Sequence, residues 1–127
     1  MPHAYNATVT WTRGDQTFTD RRYSRAHAWR FDGLTVPASS SPAVVRVPLS
    51  REDAVDPEEA LVAALASCHM LFFLDLAAKD GFRIDAYEDE AVGLMGKTPE
   101  GRTMMSKVTL SPRITFSGDK RPAAEDI

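Results

Sequence analysis

A chain of 127 residues, 43% hydrophobic and 26% charged, has the length and composition of a single packed domain and not of a disordered segment. Its formal net charge of −3, without any dense basic run, argues against a nucleic-acid partner held through phosphates. The single cysteine excludes an intrachain disulfide and a cysteine cage, and His3, His27 and His69 lack ligand spacing, so neither a metal nor another cofactor is expected.

The first six residues show no charged-then-apolar leader pattern, and the expected location is the cytoplasm. Ala7 to Trp11 alternates as a strand does, Arg13-Gly14-Asp15-Gln16 reads as a turn, and Thr17-Phe18-Thr19 is expected to resume extended structure. Tyr23 to Phe31 alternates again. Tyr23, Arg25, His27, Trp29 and Phe31 share the aromatic face, which should point inward and leave Arg25 and His27 buried or half-buried. Pro37 to Pro57 holds four of the eight prolines and the run Ser39-Ser40-Ser41. It reads as a long loop, a candidate flap, with at most a short strand at Val44–Val47.

Asp56 to Leu74 carries the strongest signal. Asp56 is a good N-cap, Pro57 suits the first helical position, and Glu59 stands where the acid of a capping box belongs. Lys79-Asp80-Gly81 offers a basic last turn and a glycine stop. The helix between them is apolar nearly all round, so it belongs at the centre of a domain or of a subunit interface. It is taken as too short for a bilayer, with His69 and Asp75 inside it, and no membrane span is expected. Phe82 to Met95 and Thr103 to Phe116 then read as two long strands joined by a loop at Lys97–Arg102. Ile84, Ala86 and Glu88 fall on one side of the first and Tyr87 and Asp89 on the other. The expected class is α+β, with an antiparallel sheet packed on a long central apolar helix, in one domain over residues 1–127. Ser117 to Ile127 resembles a helix start, as though a further helix should follow.

Cys68 supports two readings. As a small apolar filler among Ala64, Leu65, Leu71 and Phe72 it would be inert. As a reactive thiol it needs a nearby positive charge, which the helix dipole cannot supply so far from the first turn. An arginine from another element must do so: Arg25 is the best placed, with Arg22 and Arg13 as alternatives. Glu58 precedes Cys68 by roughly 15 Å of helix and is turned about 80° away, so it cannot touch the thiol directly. Its position also fits an acid placed simply to favour the helix dipole. His69 points about 100° from Cys68, which disfavours a Cys-His pair, and Asp75 reads as a solvated acid near the helix end.

The run Asp56-Pro57-Glu58-Glu59-Ala60-Leu61-Val62-Ala63-Ala64-Leu65-Ala66-Ser67-Cys68-His69 resembles the Pro-Glu…Cys helix of the OsmC/Ohr family of organic hydroperoxide reductases. Tyr23 to His27, and Ala86 to Gly93 followed by Thr103 to Phe116, are similar to the strands of that family. The resemblance implies an intertwined homodimer with its sites at the interface and a peroxidatic cysteine matched by Cys68. It also implies an assisting arginine, for which Arg25 is the candidate, and an orienting acid matched by Glu58. The substrate would be a small organic or lipid hydroperoxide, reduced to the alcohol in oxidative-stress defence. Family members continue through a second helix bearing a resolving cysteine, relative to which this chain is short at its C-terminus. With one cysteine, an external dithiol such as a lipoylated protein would have to restore the thiol. The alternative is a non-catalytic homodimer of the same fold that binds a hydrophobic ligand, Cys68 being structural.

Overall fold

Residues 3–120 are described by a computed structural model of the chain, which divides into two units, Met1–Ala60 and Leu61–Ile127. In the first unit a three-stranded antiparallel sheet in the order β1-β2-β3 is built from β1 (Thr8–Thr10), β2 (His27–Phe31) and β3 (Leu34–Ala38). Asp32 and Gly33 form the two-residue link between β2 and β3, where Gly33 takes a φ of 73° that favours glycine. Pro37 is accommodated because β3 is an edge strand, whose outer side meets only Val55 in an isolated parallel bridge opposite Ala38.

Three local expectations need correction here. Thr17–Thr19 is not a strand: Asp20 accepts from the Thr17 hydroxyl and the Arg22 N–H, closing a turn. Tyr23 to Ala26 is irregular rather than the start of β2, since the N–H groups of Ser24 and Arg25 go to Gln16 Oε1 and the Leu49 carbonyl. Val44–Val47 lies in turns, although its β-branched residues suit a strand. The long loop is nonetheless tied down. Ser39 N–H donates to the Val55 carbonyl (2.9 Å), Arg51 N–H to Ser39 Oγ (3.0 Å), and Ser50 Oγ to the Val45 carbonyl (2.5 Å).

The helix α1 runs Pro57–Lys79, 23 residues, and its ends are built as the sequence expects. Asp56 Oδ1 accepts the Glu59 N–H at 2.8 Å while Glu59 Oε1 accepts the Asp56 N–H at 3.1 Å, a complete reciprocal capping box. At the other end the Phe82 N–H reaches the Ala77 carbonyl and the Gly81 N–H the Ala78 carbonyl, with Gly81 at φ 86°: a Schellman stop. At about 34 Å this helix is long and apolar enough to cross a bilayer, so the length argument against a membrane span does not hold.

In the second unit β4 (Arg83–Asp89) pairs with β7 (Pro112–Ser117), and β5 (Val92–Lys97) with β6 (Thr103–Thr109), all antiparallel. Each predicted long strand is thus broken in two, at Glu90–Ala91 and at Leu110–Ser111. A register shift between Ile84 and Ala86 turns Tyr87 and Asp89 to the half-buried side and leaves Ala86 and Glu88 exposed, reversing the expected faces beyond Ile84. The helix packs on these strands through Val62 against Gly93 and through His69 and Phe73 against Tyr87. The class is therefore α+β, with one helix against antiparallel strands. From residue 121 the C-terminal run that reads as a helix start lies outside the described residues.

A Cβ on Gly93 would collide with Val62 Cγ2 and stand 2.8 Å from Met105 Sδ. Met105 can swing away, but a β-branched residue on a helix has little rotamer freedom. Gly93→Ala is expected to cost about 1–3 kcal/mol by overpacking, read as a lower midpoint in urea with an unchanged slope.

Candidate functional site

Cys68 is exposed in the single chain, not packed among its apolar neighbours. The reason is that α1 carries more apolar surface than the chain covers: of its residues only Ala77 is buried. Leu61, Leu65, Phe72 and Leu76 are exposed, and on a helix of 100° per residue they fall with Cys68 within roughly 80° of arc. The thiol therefore sits in the middle of an open apolar stripe.

The neighbouring His69 turns away from that stripe. Its Nδ1 and the Tyr87 hydroxyl share a 2.7 Å hydrogen bond, and Phe73 completes an aromatic group with both rings. Burial first, and the Asp89 carboxylate second, push the Tyr87 hydroxyl above its usual range, so it stays protonated at neutral pH. His69 thus anchors the helix to β4 and is not paired with the thiol. Asp75 forms an exposed i,i+4 pair with Lys79 at 3.2 Å, a contact of small energetic weight.

Arg25 belongs to the first unit and is half-buried, but so is every residue from Tyr23 to Trp29, and Phe31 is exposed, so the expected inward and outward faces of this segment are not seen. Its guanidinium lies over the Tyr23 ring, 3.7 Å from the centroid, and Nη1 donates to the carbonyls of Arg21 (3.1 Å) and Tyr23. Arg22 is exposed, and so is Arg13, whose Nη1 donates to the Gln16 carbonyl at 2.8 Å. Glu58 is half-buried in the first turn of α1. Arg25 and Glu58 form no ion pair with each other among the described residues, so the structure does not bring them together as a pair.

Sequence reasoning left one feature unread. Trp11, Tyr23, Arg25, His27, Ser39, Ser40 and Pro57 line a recess of about 240 Å³ within the first unit. Trp11 packs edge-on to Tyr23 at 5.5 Å between centroids, Phe18 stacks on Tyr23 at 4.7 Å, and Trp11 Nε1–H donates to the Ser24 carbonyl. The aromatic alternation and the serine run were both legible, but their meeting depends on the β2–β3 turn. Among the described residues no cluster of three or more His, Cys, Asp or Glu side chains could hold a metal ion.

An α+β chain whose capped apolar helix displays one exposed thiol and a first-turn Pro-Glu pair defines a narrow structural class. Residues 50–127 match the family described as OsmC-like protein. The fold is similar to that of an OsmC-like protein of unknown function from Vibrio cholerae O1 biovar eltor, with a TM-score of 0.95 and 52% sequence identity. That likeness covers 98% of this chain and 82% of the other. No curated protein matches. The chain belongs to the OsmC-like family.

Proposed function

We propose that this chain is a thiol peroxidase that reduces organic hydroperoxides through Cys68, as the Ohr branch of its family does. The observation that carries the reading is the placement of Cys68 on the capped helix that opens with Asp56-Pro57-Glu58-Glu59, in a chain of the OsmC-like family. By the pattern of the family Arg25 is the assisting cation and Glu58 its acid, although the guanidinium is held in the single chain by the carbonyls of Arg21 and Tyr23.

In this reaction the Cys68 thiolate attacks the distal peroxide oxygen and the O–O bond breaks. The alkoxide leaves, takes up a proton and departs as the alcohol, while the sulfur is oxidised to a sulfenic acid. A dithiol then condenses with the sulfenic acid, releasing water and forming a mixed disulfide. Its second sulfur displaces Cys68 as thiol and closes a cyclic disulfide. The open stripe of α1 favours an apolar peroxide, and it fits a homodimer in which a second copy covers the helix. A lone thiol that must be regenerated by dithiols suits the reducing cytoplasm.

Reduced protein exposed briefly to stoichiometric cumene hydroperoxide with dimedone is expected to gain one dimedone adduct, on Cys68, by intact mass and peptide mapping. An unmodified thiol in folded protein would show that Cys68 is not peroxidatic.

A further inference from the structure

The recess of the first unit has walls of one chemical kind and a single exception. Trp11, Tyr23 and His27 supply aromatic faces, and no carboxylate lines it. His27 contributes neither charge nor donor: its Nε2 accepts the Trp29 indole N–H (3.1 Å), so the proton is on Nδ1, which donates to the Arg25 carbonyl (2.8 Å). The only charge in the wall is therefore Arg25. Both hydrogens of its Nη1 are directed to the carbonyls of Arg21 and Tyr23, which holds the guanidinium flat over Tyr23. Among the described residues its Nε and Nη2 have no hydrogen-bond partner, and these two atoms form the side-on edge that a carboxylate takes with two parallel bonds.

One cation with a free bidentate edge, set among aromatic walls, specifies the ligand. It has one negative charge, planar acceptor oxygens and an apolar body. A phosphate dianion would find only one compensating charge and no apolar complement.

We infer that this recess binds a small monocarboxylate with an aromatic or short alkyl body, its carboxylate on the free edge of Arg25 and its body against Trp11 and Tyr23. The volume of about 240 Å³ lies below the ~300–1,000 Å³ of drug-sized sites, which suits a single ring rather than a long lipid chain. The inference goes beyond the peroxidase reading and shares only Arg25 with it, since binding requires no thiol chemistry.

The test is calorimetric titration of the reduced full chain, without peroxide and in a phosphate-free buffer, with benzoate, benzyl alcohol and inorganic phosphate. Benzoate is expected to bind at one per chain at least tenfold more tightly than either of the others. Arg25→Gln should remove most of that margin, and Arg25→Lys should keep part of it. Benzoate that fails to bind, or binds no better than benzyl alcohol or phosphate, overturns the inference on the unaltered chain, whatever the variants do. The peroxidase reading is judged separately by the Cys68 adduct with cumene hydroperoxide, an uncharged peroxide that owes nothing to a carboxylate site.

Discussion

Cys68→Ser is expected to reduce the consumption of cumene hydroperoxide to the uncatalysed background while leaving the far-ultraviolet circular dichroism unchanged. The argument is chemical before it is structural. A thiol is several per cent ionised or more at neutral pH and its sulfur is highly nucleophilic, whereas a serine hydroxyl needs an adjacent general base. The only imidazole next to Cys68 in sequence is engaged with Tyr87, so a serine at this position has none. Serine is nearly isosteric with cysteine, so the helix and its packing are kept. The parent chain is expected to turn over repeatedly with dithiothreitol or dihydrolipoamide and to stop after about one equivalent without them, because its 127 residues include one cysteine. Full peroxide consumption by Cys68→Ser would eliminate the thiol mechanism.

What could be read from sequence follows the range of the forces involved. The ends of α1 are set by contacts within four residues, so Asp56, Pro57, Glu59 and Gly81 announced them and the capping box and Schellman stop were found in place. The inward face expected for Tyr23 to Phe31 was not legible, because every residue from Tyr23 to Trp29 is half-buried in a segment that is irregular up to Ala26, while Phe31, expected inward, is 42% exposed. The register shift after Ile84 could not be read, because one extra residue in a ladder leaves no compositional trace and yet moves Tyr87 to the face that meets His69. The β2–β3 turn did carry a signal, Asp32-Gly33, which the proline-rich run after it obscured. The state of Cys68 was the hardest to infer. Apolar neighbours along a helix suggest burial, but burial depends on what packs over them, which local pattern does not state.

That dependence on cover underlies the second large effect. Among the described residues the buried hydrophobic side chains are Ala38 and Ala77, two alanines, while Phe72 is 68% exposed, Leu76 59%, and Leu61 and Leu65 45% each. Other apolar side chains, such as Phe73, Phe82, Ile84 and Phe116, are only half-buried, so further cover would add to the stability that opposes conformational entropy. The stripe through Leu61, Leu65, Cys68, Phe72 and Leu76 is self-complementary in character, as a twofold helix pair requires. In the proposed homodimer, covering Phe72 contributes about 1.5–3 kcal/mol, and a symmetric pair counts it twice. Phe72→Asp removes that gain and adds an unpaired carboxylate to a dry interface, at a further cost of several kcal/mol per copy. The variant is therefore expected to lose the dimer by light scattering and, lacking that cover, to lose most of its cooperative thermal transition with it. Phe72→Leu, which keeps the stripe apolar, should remain dimeric with only a modest loss of stability. A Phe72→Asp chain that stays dimeric with an unchanged melting transition would place the subunit contact elsewhere. It would leave the thiol on an open surface, where a selective peroxide site has no second wall.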